Sequence, residues 1–424
     1  MKRNALHSDL RVKFSDVRSY GCEKGIDKYN NIWFVIPKPL PLDGIEPSKS
    51  TQKRYFESVA RAQFILGKLR PFDEMDQRDR LVSYLFTRKE AMLSSSIEGT
   101  YTTIDEALLT SGAAAEEEKS ASTSVRSYAS CLEKIFNSIE EIGFDAVSKG
   151  MLQEMHRKIM EKDPSFSGTP GEFRNLSKTT VYIGGGGNVD QSIYNPAPFQ
   201  HVEWLIDNLI EWLTNSEIIQ DGDLGQMPIV VRMALAHSYF EAVHPFSDGN
   251  GRVGRMLWPV QMMLSNVSPV YLSGYISKNK EAYYEALQHS QQRLNHVPLI
   301  ELMSFALEES YNYMIDTHNA LEALSNEWKQ QNKFRRHSGA ERLLEVILGL
   351  PILTVKVAQD RLGITKQAAN EAIRKLLEAG ILTERTGWKR NRVFGSKEVV
   401  ALISRNFDHS PAQVLEQVKT KSWI

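Results

Sequence analysis

Twelve consecutive residues carry more chemistry than any other stretch of this chain: His244-Pro245-Phe246-Ser247-Asp248-Gly249-Asn250-Gly251-Arg252-Val253-Gly254-Arg255. A histidine can accept a proton near neutral pH. An aspartate is a hard oxygen ligand suited to Mg²⁺. Gly-Asn-Gly tolerates positive φ, so successive backbone N–H groups can converge on an anion. Arg252 and Arg255 lie three apart, so on a helix they share a face and both can reach phosphate oxygens. The spacing predicts a helix, a tight anion-binding turn, and a second helix whose N-terminus faces the phosphates.

Three other readings of the same letters are weaker. Gly249, Gly251 and Gly254 spell the dinucleotide fingerprint GxGxxG. That motif follows a strand, whereas Met233 to Val243 reads as a helix. No acidic residue stands about 20 positions on to hold a ribose. His237, Glu241 and His244 fall at i, i+4 and i+7 on one helical face, but that order lacks the paired His and Glu arrangement of known zinc motifs. A plain polar turn accounts for Asn and Gly. It does not account for a histidine, a carboxylate and two arginines around one turn.

At these positions the chain resembles the Fic proteins. Their signature, His-x-Phe-x-Asp/Glu-Gly-Asn-Gly-Arg-x-x-Arg, is matched here at every fixed position. The resemblance implies transfer of AMP from ATP to a protein hydroxyl (AMPylation), with release of pyrophosphate. It implies roles by position: His244 as the base for a target Ser, Thr or Tyr hydroxyl, and Asp248 as the ligand of Mg²⁺ between the α- and β-phosphates. Gly249, Asn250 and Gly251 would cradle the phosphates, with Arg252 on the β-phosphate and Arg255 on the γ-phosphate. Phe246 would anchor the loop in the core. The residue types suit such a reaction, because phosphoryl transfer relies on positioning and preset positive charge.

Upstream, Ser94-Ser-Ser-Ile-Glu98-Gly99 ends a stretch of helical periodicity over residues 81–93. Taken alone, Glu98 is a solvated helix-end carboxylate and Gly99 a helix stop. Beside the signature, the segment resembles the family's inhibitory motif, Ser/Thr-x-x-x-Glu-Gly/Asn, through Ser94, Glu98 and Gly99. The resemblance implies that Glu98 pairs with Arg255 and withholds it from the γ-phosphate, so that inhibition is built into the chain. In some relatives the same Glu aligns a water that removes AMP.

Between these two motifs lies Gly171-Glu-Phe-Arg174, then the β-rich Thr179-Thr-Val181-Tyr182-Ile183 and four glycines. This pattern predicts a β-hairpin. It resembles the family's flap, where an exposed strand pairs with the target segment by β-augmentation. Val181, Tyr182 and Ile183 are therefore the expected docking edge. Tyr284, in a Tyr pair beyond the signature, is the expected adenine neighbour, although Tyr pairs on helices are more often core.

The elements that must position these residues read as mainly helical. Residues 1–50 look irregular, with Trp33 to Pro41 as an extended, proline-punctuated arm. Helices are expected near 51–70 and 78–97, then a short one capped by Thr102 and Thr103. Ser111 to Ser120 is a small-residue charged linker or helix tip. Phe199 to Leu213 and Met227 to Val243 are strongly apolar helices. From about 337 the texture changes. Helices at 343–350 and 354–362, the turn Gly363-Ile364, and a helix from Lys366 to Ala379 capped by Thr365 precede strand-like runs at 380–385 and 392–394. This is a helix-turn-helix with a basic hairpin, a winged-helix pattern. The tail from 337 holds 14 Lys/Arg against 9 Asp/Glu. Lys366, Arg374, Lys375, Lys389, Arg390 and Arg392 are its candidate phosphate contacts. Winged helices also serve as dimerisation or protein-binding modules.

Composition fits this organisation. At 424 residues and 42% hydrophobic, the chain can bury two or three domains. A net charge of −1 gives no global pull towards nucleic acid or membrane. Two cysteines argue against a disulfide framework and suit a reducing compartment. No signal peptide and no transmembrane run is expected, and the expected location is cytoplasmic. The full expectation is a mainly α chain: a helical leader with the inhibitory motif (1–115), a Fic core with a β-hairpin flap (116–330), and a winged helix-turn-helix (337–424). Its partners are ATP with Mg²⁺ and a protein hydroxyl, the chain's own included. DNA is a candidate ligand of the tail, a homodimer a candidate assembly, and no membrane is involved. The rival readings are a DNA-binding regulator with a nucleotide-sensing Fic domain, and AMP removal through Glu98.

Overall fold

The computed structural model describes residues 1, 3–13, 20–25, 32–42, 45–109, 120–163, 165–175, 181–184, 186, 189–219, 227–386 and 392–420. It is mainly α, as the periodicity predicts. In chain order the helices are α1 (Gln52–Leu66), α2 (Gln77–Ile97), α3 (Ile104–Leu108), α4 (Ser120–Ile142), α5 (Lys149–Met160), α6 (Phe199–Leu213), α7 (Ser216–Ile219), α8 (Ile229–Val243) and α9 (Asn250–Leu264). They continue as α10 (Ser273–Lys278), α11 (Lys280–Arg293), α12 (Val297–Asn332), α13 (Gly339–Gly349), α14 (Val355–Leu362), α15 (Lys366–Glu378), α16 (Lys397–Ser404) and α17 (Pro411–Thr420). The strands are β1 (Gly21–Lys24), β2 (Trp33–Ile36), β3 (Ile352–Thr354), β4 (Thr383–Glu384) and β5 (Val393–Gly395).

The chain divides into two compact units, each discontinuous in sequence. One comprises Met1–Asp73 with Ser130–Glu308, the other Glu74–Ala129 with Glu309–Ile424. In the first unit α8 is the central element. Its residues from Val230 to Val243 are all buried. A helix that is apolar all round belongs inside a core rather than on its edge. α9 packs along it, α6, α11, α1 and β2 also lie against it, and α5 packs on α9. At the crossing with α8, Gly254 leaves no room for a side chain. A Cβ there would stand 2.8 Å from Glu241 Oε1 and 3.1 Å from the His237 ring.

Three strands went unforeseen. β1 and β2 pair antiparallel, with Gly21 opposite Ile36 and Lys24 opposite Trp33. They occupy the stretch expected to be irregular, because Cys22, Phe34, Val35 and Ile36 find cover that local sequence cannot reveal. The expected flap hairpin is reduced, among described residues, to a single bridge between Ile183 and Tyr194. Thr179 and Thr180 lie outside the described residues, as does the linker at 111–119.

In the second unit Thr103 and Thr365 cap helices as anticipated, whereas Thr354, expected as the first helical residue, is a cap instead. Thr103 accepts from Glu106 N, and the Glu106 side chain reaches back to Thr103 N, closing a capping box on α3. Thr354 and Thr365 cap α14 and α15, and Gly363 between them takes φ +62°. β3, not anticipated, pairs with β5 and makes a three-stranded antiparallel sheet of order β3-β5-β4. α13 lies against α2 so closely that a Cβ on Gly349 would stand 2.5 Å from Leu81 O. The expected result is that Gly349→Ala destabilises this unit by about 1–3 kcal/mol. Gly150→Ala, where the nearest atom is an ordinary 3.5 Å away, should cost nothing comparable. Urea melts of the two variants check this, and equal midpoints would contradict the close approach.

Candidate active site

The twelve-residue motif forms a turn between α8 and α9, as its spacing predicts. α8 stops at His244, whose φ of 50° and ψ of 63° place it in the left-handed region. Pro245 contributes to the stop, since a proline disfavours the helical conformation at the residue before it. A non-glycine residue held there stores about 1–3 kcal/mol and persists only where its surroundings over-determine it. They do. His244 N donates to Phe240 O at 2.8 Å. The buried Arg174 guanidinium then gathers the carbonyls that a helix end leaves open. Its Nε donates to His244 O at 2.7 Å, and its Nη2 to Val243 O at 3.0 Å and Ala197 O at 2.8 Å. Arg174 N donates to Pro245 O at 2.8 Å. Burial lowers the Arg174 pKa to about 10, which leaves it charged near neutral pH.

The turn is closed from the other side by Asn250. Phe246 N donates to Asn250 Oδ1 and Asn250 Nδ2 donates to Phe246 O, both at 2.9 Å. The fully buried Phe246 ring stacks on His156 at 3.9 Å between centroids. His156 also fixes the backbone. Its Nδ1 accepts from Gly171 N at 2.8 Å, so the proton sits on Nε2, which donates to Asp248 O at 3.1 Å. Burial lowers the His156 pKa to about 4, so the ring stays neutral near neutral pH. Gly249 caps α9 with φ +76°, and a Cβ there would stand 2.9 Å from Met160 Sδ. Only glycine satisfies both demands.

The anticipated site residues therefore converge. Gly249, Asn250 and Gly251 sit at the N-terminus of α9, where first-turn N–H groups and the helix dipole favour an anion. Arg252 and Arg255 follow on α9, exposed by 3% and 0%. Arg252 Nη1 lies 3.7 Å from Asp163 Oδ2. The exposed Asp248 accepts from Gly249 N at 2.6 Å through Oδ1, leaving the second oxygen for a cation. Among described residues no cluster of three His, Cys, Asp or Glu side chains could cage a metal. A lone carboxylate still fits Mg²⁺, which is usually held by one or two carboxylates with phosphates and water.

Other expectations are placed less tightly. Ile183 is tied to the turn through Tyr194: Ile183 N donates to Tyr194 O at 2.8 Å, and Tyr194 OH to Ala242 O at 3.5 Å. Val181 and Tyr182 are half-buried. Tyr284 is 43% exposed, whereas its neighbour Tyr283 is buried and bonded to His237 Nε2 at 2.7 Å. In the second unit Glu98 is the C-cap of α2, Gly99 takes φ +84°, and Ser94 is buried.

Sequence reasoning missed His156 and Arg174 as supports and Glu241 as a partner. Glu241 is buried one turn before His244, with Oε2 3.5 Å from His244 Nδ1. Burial pushes its carboxyl up, but the His244 ring and the charges of His237 and Arg255 outweigh this and hold it below the ordinary value. The i, i+3 spacing was the available signal.

Residues 146–262 match the Fic/DOC family, and residues 56–137 match the Fic/DOC family N-terminal segment. The chain is 28% identical over 143 residues to protein adenylyltransferase fic-1 of Caenorhabditis elegans, covering 34% of this chain and 24% of that relative. It is 28% identical over 124 residues to a probable protein adenylyltransferase of Aquifex aeolicus, covering 29% of this chain and 34% of that one. The chain thus spans about a quarter to a third of the length of these relatives. Among solved structures, a Fic family protein from Desulfovibrio desulfuricans G20 is similar with a TM-score of 0.47 and 18% identity, over 83% of this chain and 98% of that one.

The His156 clamp makes stability depend on pH in a defined direction. Its pKa in the fold, about 4, lies below the ordinary 6.5, so on acidification the unfolded chain takes up the proton first. The contribution is complete above about pH 6.5 and is lost as pH falls towards 4, by at most roughly 3 kcal/mol. His156→Gln can keep both hydrogen bonds without titrating. Urea melts across this range should show a shallower fall for His156→Gln than for wild type. Equal slopes would contradict the assignment.

Proposed function

We propose that this chain, which over residues 56–137 and 146–262 belongs to the Fic/DOC family, transfers AMP from ATP to a protein hydroxyl. The observation that carries the reading is the left-handed turn that sets His244 beside the N-terminus of α9, with two buried arginines behind it. In this reading the target hydroxyl oxygen attacks the α-phosphorus and gives its proton to His244. The bond to the bridging oxygen breaks, and pyrophosphate leaves. The N–H groups at Gly249, Asn250 and Gly251, with Arg252 and Arg255, balance charge on the phosphates. Mg²⁺, held by Asp248, would neutralise phosphate charge. The edge at Val181–Ile183 would align the target segment, and Tyr284 would stand near the adenine.

Residues 1–115, 116–330 and 337–424 are assigned as the inhibitory leader, the transfer core and a winged helix. The proposed inhibitory contact is Glu98 with Arg255. A buried guanidinium cannot serve a carboxylate and the γ-phosphate at once. The two free cysteines are buried, which fits the cytoplasm. Among described residues no helix is long and apolar enough to cross a membrane.

A second activity is favoured by one observation: α14, the Gly363 turn, α15 and the β3-β5-β4 sheet follow winged-helix order. DNA is the candidate ligand. Much of the expected basic face is already engaged. Arg374 is forked between Glu371 and Glu378, Lys375 lies 3.7 Å from Glu371, and Arg392 pairs with Glu384. Lys389 and Arg390 lie outside the described residues. Phosphate binding would have to displace these carboxylates, which weakens it, and contacts made by Lys and Arg to phosphates release counterions, so the affinity should fall with salt. Anisotropy titrations with duplex DNA should show at least about a tenfold loss between roughly 50 and 200 mM salt. Absence of binding at the lower salt would remove the DNA reading.

The transfer reading is tested with Mg²⁺ and ATP labelled at the α-phosphate. Glu98→Gly should raise labelling of the chain itself or of lysate proteins several-fold over wild type. His244→Ala in that background should lower it by about 10²–10⁴-fold while ATP still binds. Undiminished labelling without His244 would exclude it as the base. Net loss of label from AMP-modified protein, dependent on Glu98, would instead favour AMP removal.

A further inference from the structure

Glu241 and His244 are neighbours on the last turn of α8. Glu241 Oε2 stands 3.5 Å from His244 Nδ1, and both groups are largely sealed, with side-chain exposures of 7% and 16%. Among described residues neither Glu241 Oε1 nor His244 Nδ1 has a hydrogen-bond partner, and the approach of Oε2 to Nδ1 is an ion-pair contact that a small ring rotation would close. A buried carboxylate without a donor is costly, and so is a buried ring nitrogen without a partner. Each is the other's available solution. The charged and titratable groups facing the pair are His237 from α8 and Arg255 from α9, with Tyr283 from α11 behind His237. Arg174 holds the His244 carbonyl. Gly254 has no Cβ because Glu241 Oε1 occupies that space. The carboxylate is thus accommodated by the fold of α9.

A buried carboxylate beside one ring nitrogen settles which nitrogen carries the proton. With Nδ1–H turned to Glu241, the Nε2 lone pair is left to accept a proton. The left-handed backbone of His244 fixes the ring's origin, and Glu241 fixes its rotation and tautomer. We propose that Glu241 is a positioning residue for the base: it holds His244 as the Nδ1–H tautomer and stabilises the imidazolium formed when Nε2 takes the hydroxyl proton. This rests on the transfer reading above for its catalytic consequence, but the tautomer itself does not depend on that reading. In the step concerned, the hydroxyl oxygen forms its bond to the α-phosphorus, the bond to pyrophosphate breaks, and the proton stays on Nε2 of a ring paired with Glu241. Carboxylate-oriented imidazoles serve the same purpose in hydrolytic triads.

The test uses the full chain with ¹⁵N-labelled histidine. The His244 signals are identified by their loss in His244→Ala. The expected result for wild type is the Nδ1–H tautomer. In Glu241→Gln the midpoint of His244 protonation should move down by about one pH unit or more, because an adjacent anion favours the charged ring. Glu241→Asp should recover part of that shift. An Nε2–H tautomer in wild type, or an unmoved midpoint in Glu241→Gln, would overturn the proposal whatever the activity. In the Glu98→Gly background, Glu241→Gln should lower transfer by about tenfold or more, with the KM for ATP unchanged and the acidic limb of the rate–pH profile moved to lower pH. An unchanged rate and profile would equally overturn it. If Glu98→Gly alone transfers nothing, the transfer reading fails, and the NMR result still decides the role of Glu241.

Discussion

The site depends on one unfavourable backbone conformation held in place by many favourable contacts. His244 ends α8 in the left-handed region, and from there the chain reverses within six residues to begin α9. Without that reversal the histidine and the helix N-terminus would not share a side of the molecule. The strain is small, about 1–3 kcal/mol, against the hydrogen bonds that close on it. Arg174 takes three carbonyls from two segments, Asn250 clips both polar groups of Phe246, and His156 braces Asp248 while stacking on Phe246. Each brace comes from sequence distant from the motif or from the motif's own far end. The turn is therefore fixed by these core contacts together with Gly249 at its one glycine-demanding position.

The charges around the turn follow from burial. Two arginines almost without solvent contact can exist only where an anion or a carboxylate answers them. Glu241 supplies part of that answer through the charge it shares with Arg255 and His244. His156, equally buried but with no anion against it, resolves the same problem by staying neutral. The region is thus assembled with positive potential at the N-terminus of α9, where the dipole adds to it, and with a neutral brace behind the loop.

The motif was legible because its meaning is local. Glycine at a positive-φ cap, arginines three apart on a helix, and a proline after the last helical residue all act over a few positions. The helix caps at Thr103 and Thr365 were legible for the same reason. What the sequence hid is non-local. β1 and β2 look irregular until they pair with each other, and β3 is only Ile352-Leu353-Thr354 until β5 lies beside it. The flap segment is β-rich, and among described residues it is tied by one bridge between Ile183 and Tyr194. His156 is an ordinary helical histidine by sequence, and Arg174 an ordinary basic residue in a loop. Only their contacts across tens of residues make them supports. The two units each join separated stretches of chain, an arrangement that no composition shift marks.

The central claim is that the turn is built before any nucleotide arrives and receives phosphates on the N–H groups of α9. A crystal structure of Glu98→Gly with Mg²⁺ and α,β-methylene ATP would test it most directly. The account predicts α- and β-phosphate oxygens within hydrogen-bond distance of the backbone at Gly249 to Gly251. It also predicts Arg255 on the γ-phosphate, and His244 still left-handed with the Arg174 and Asn250 contacts intact. Phosphates bound elsewhere, or a turn that refolds to receive them, would contradict it.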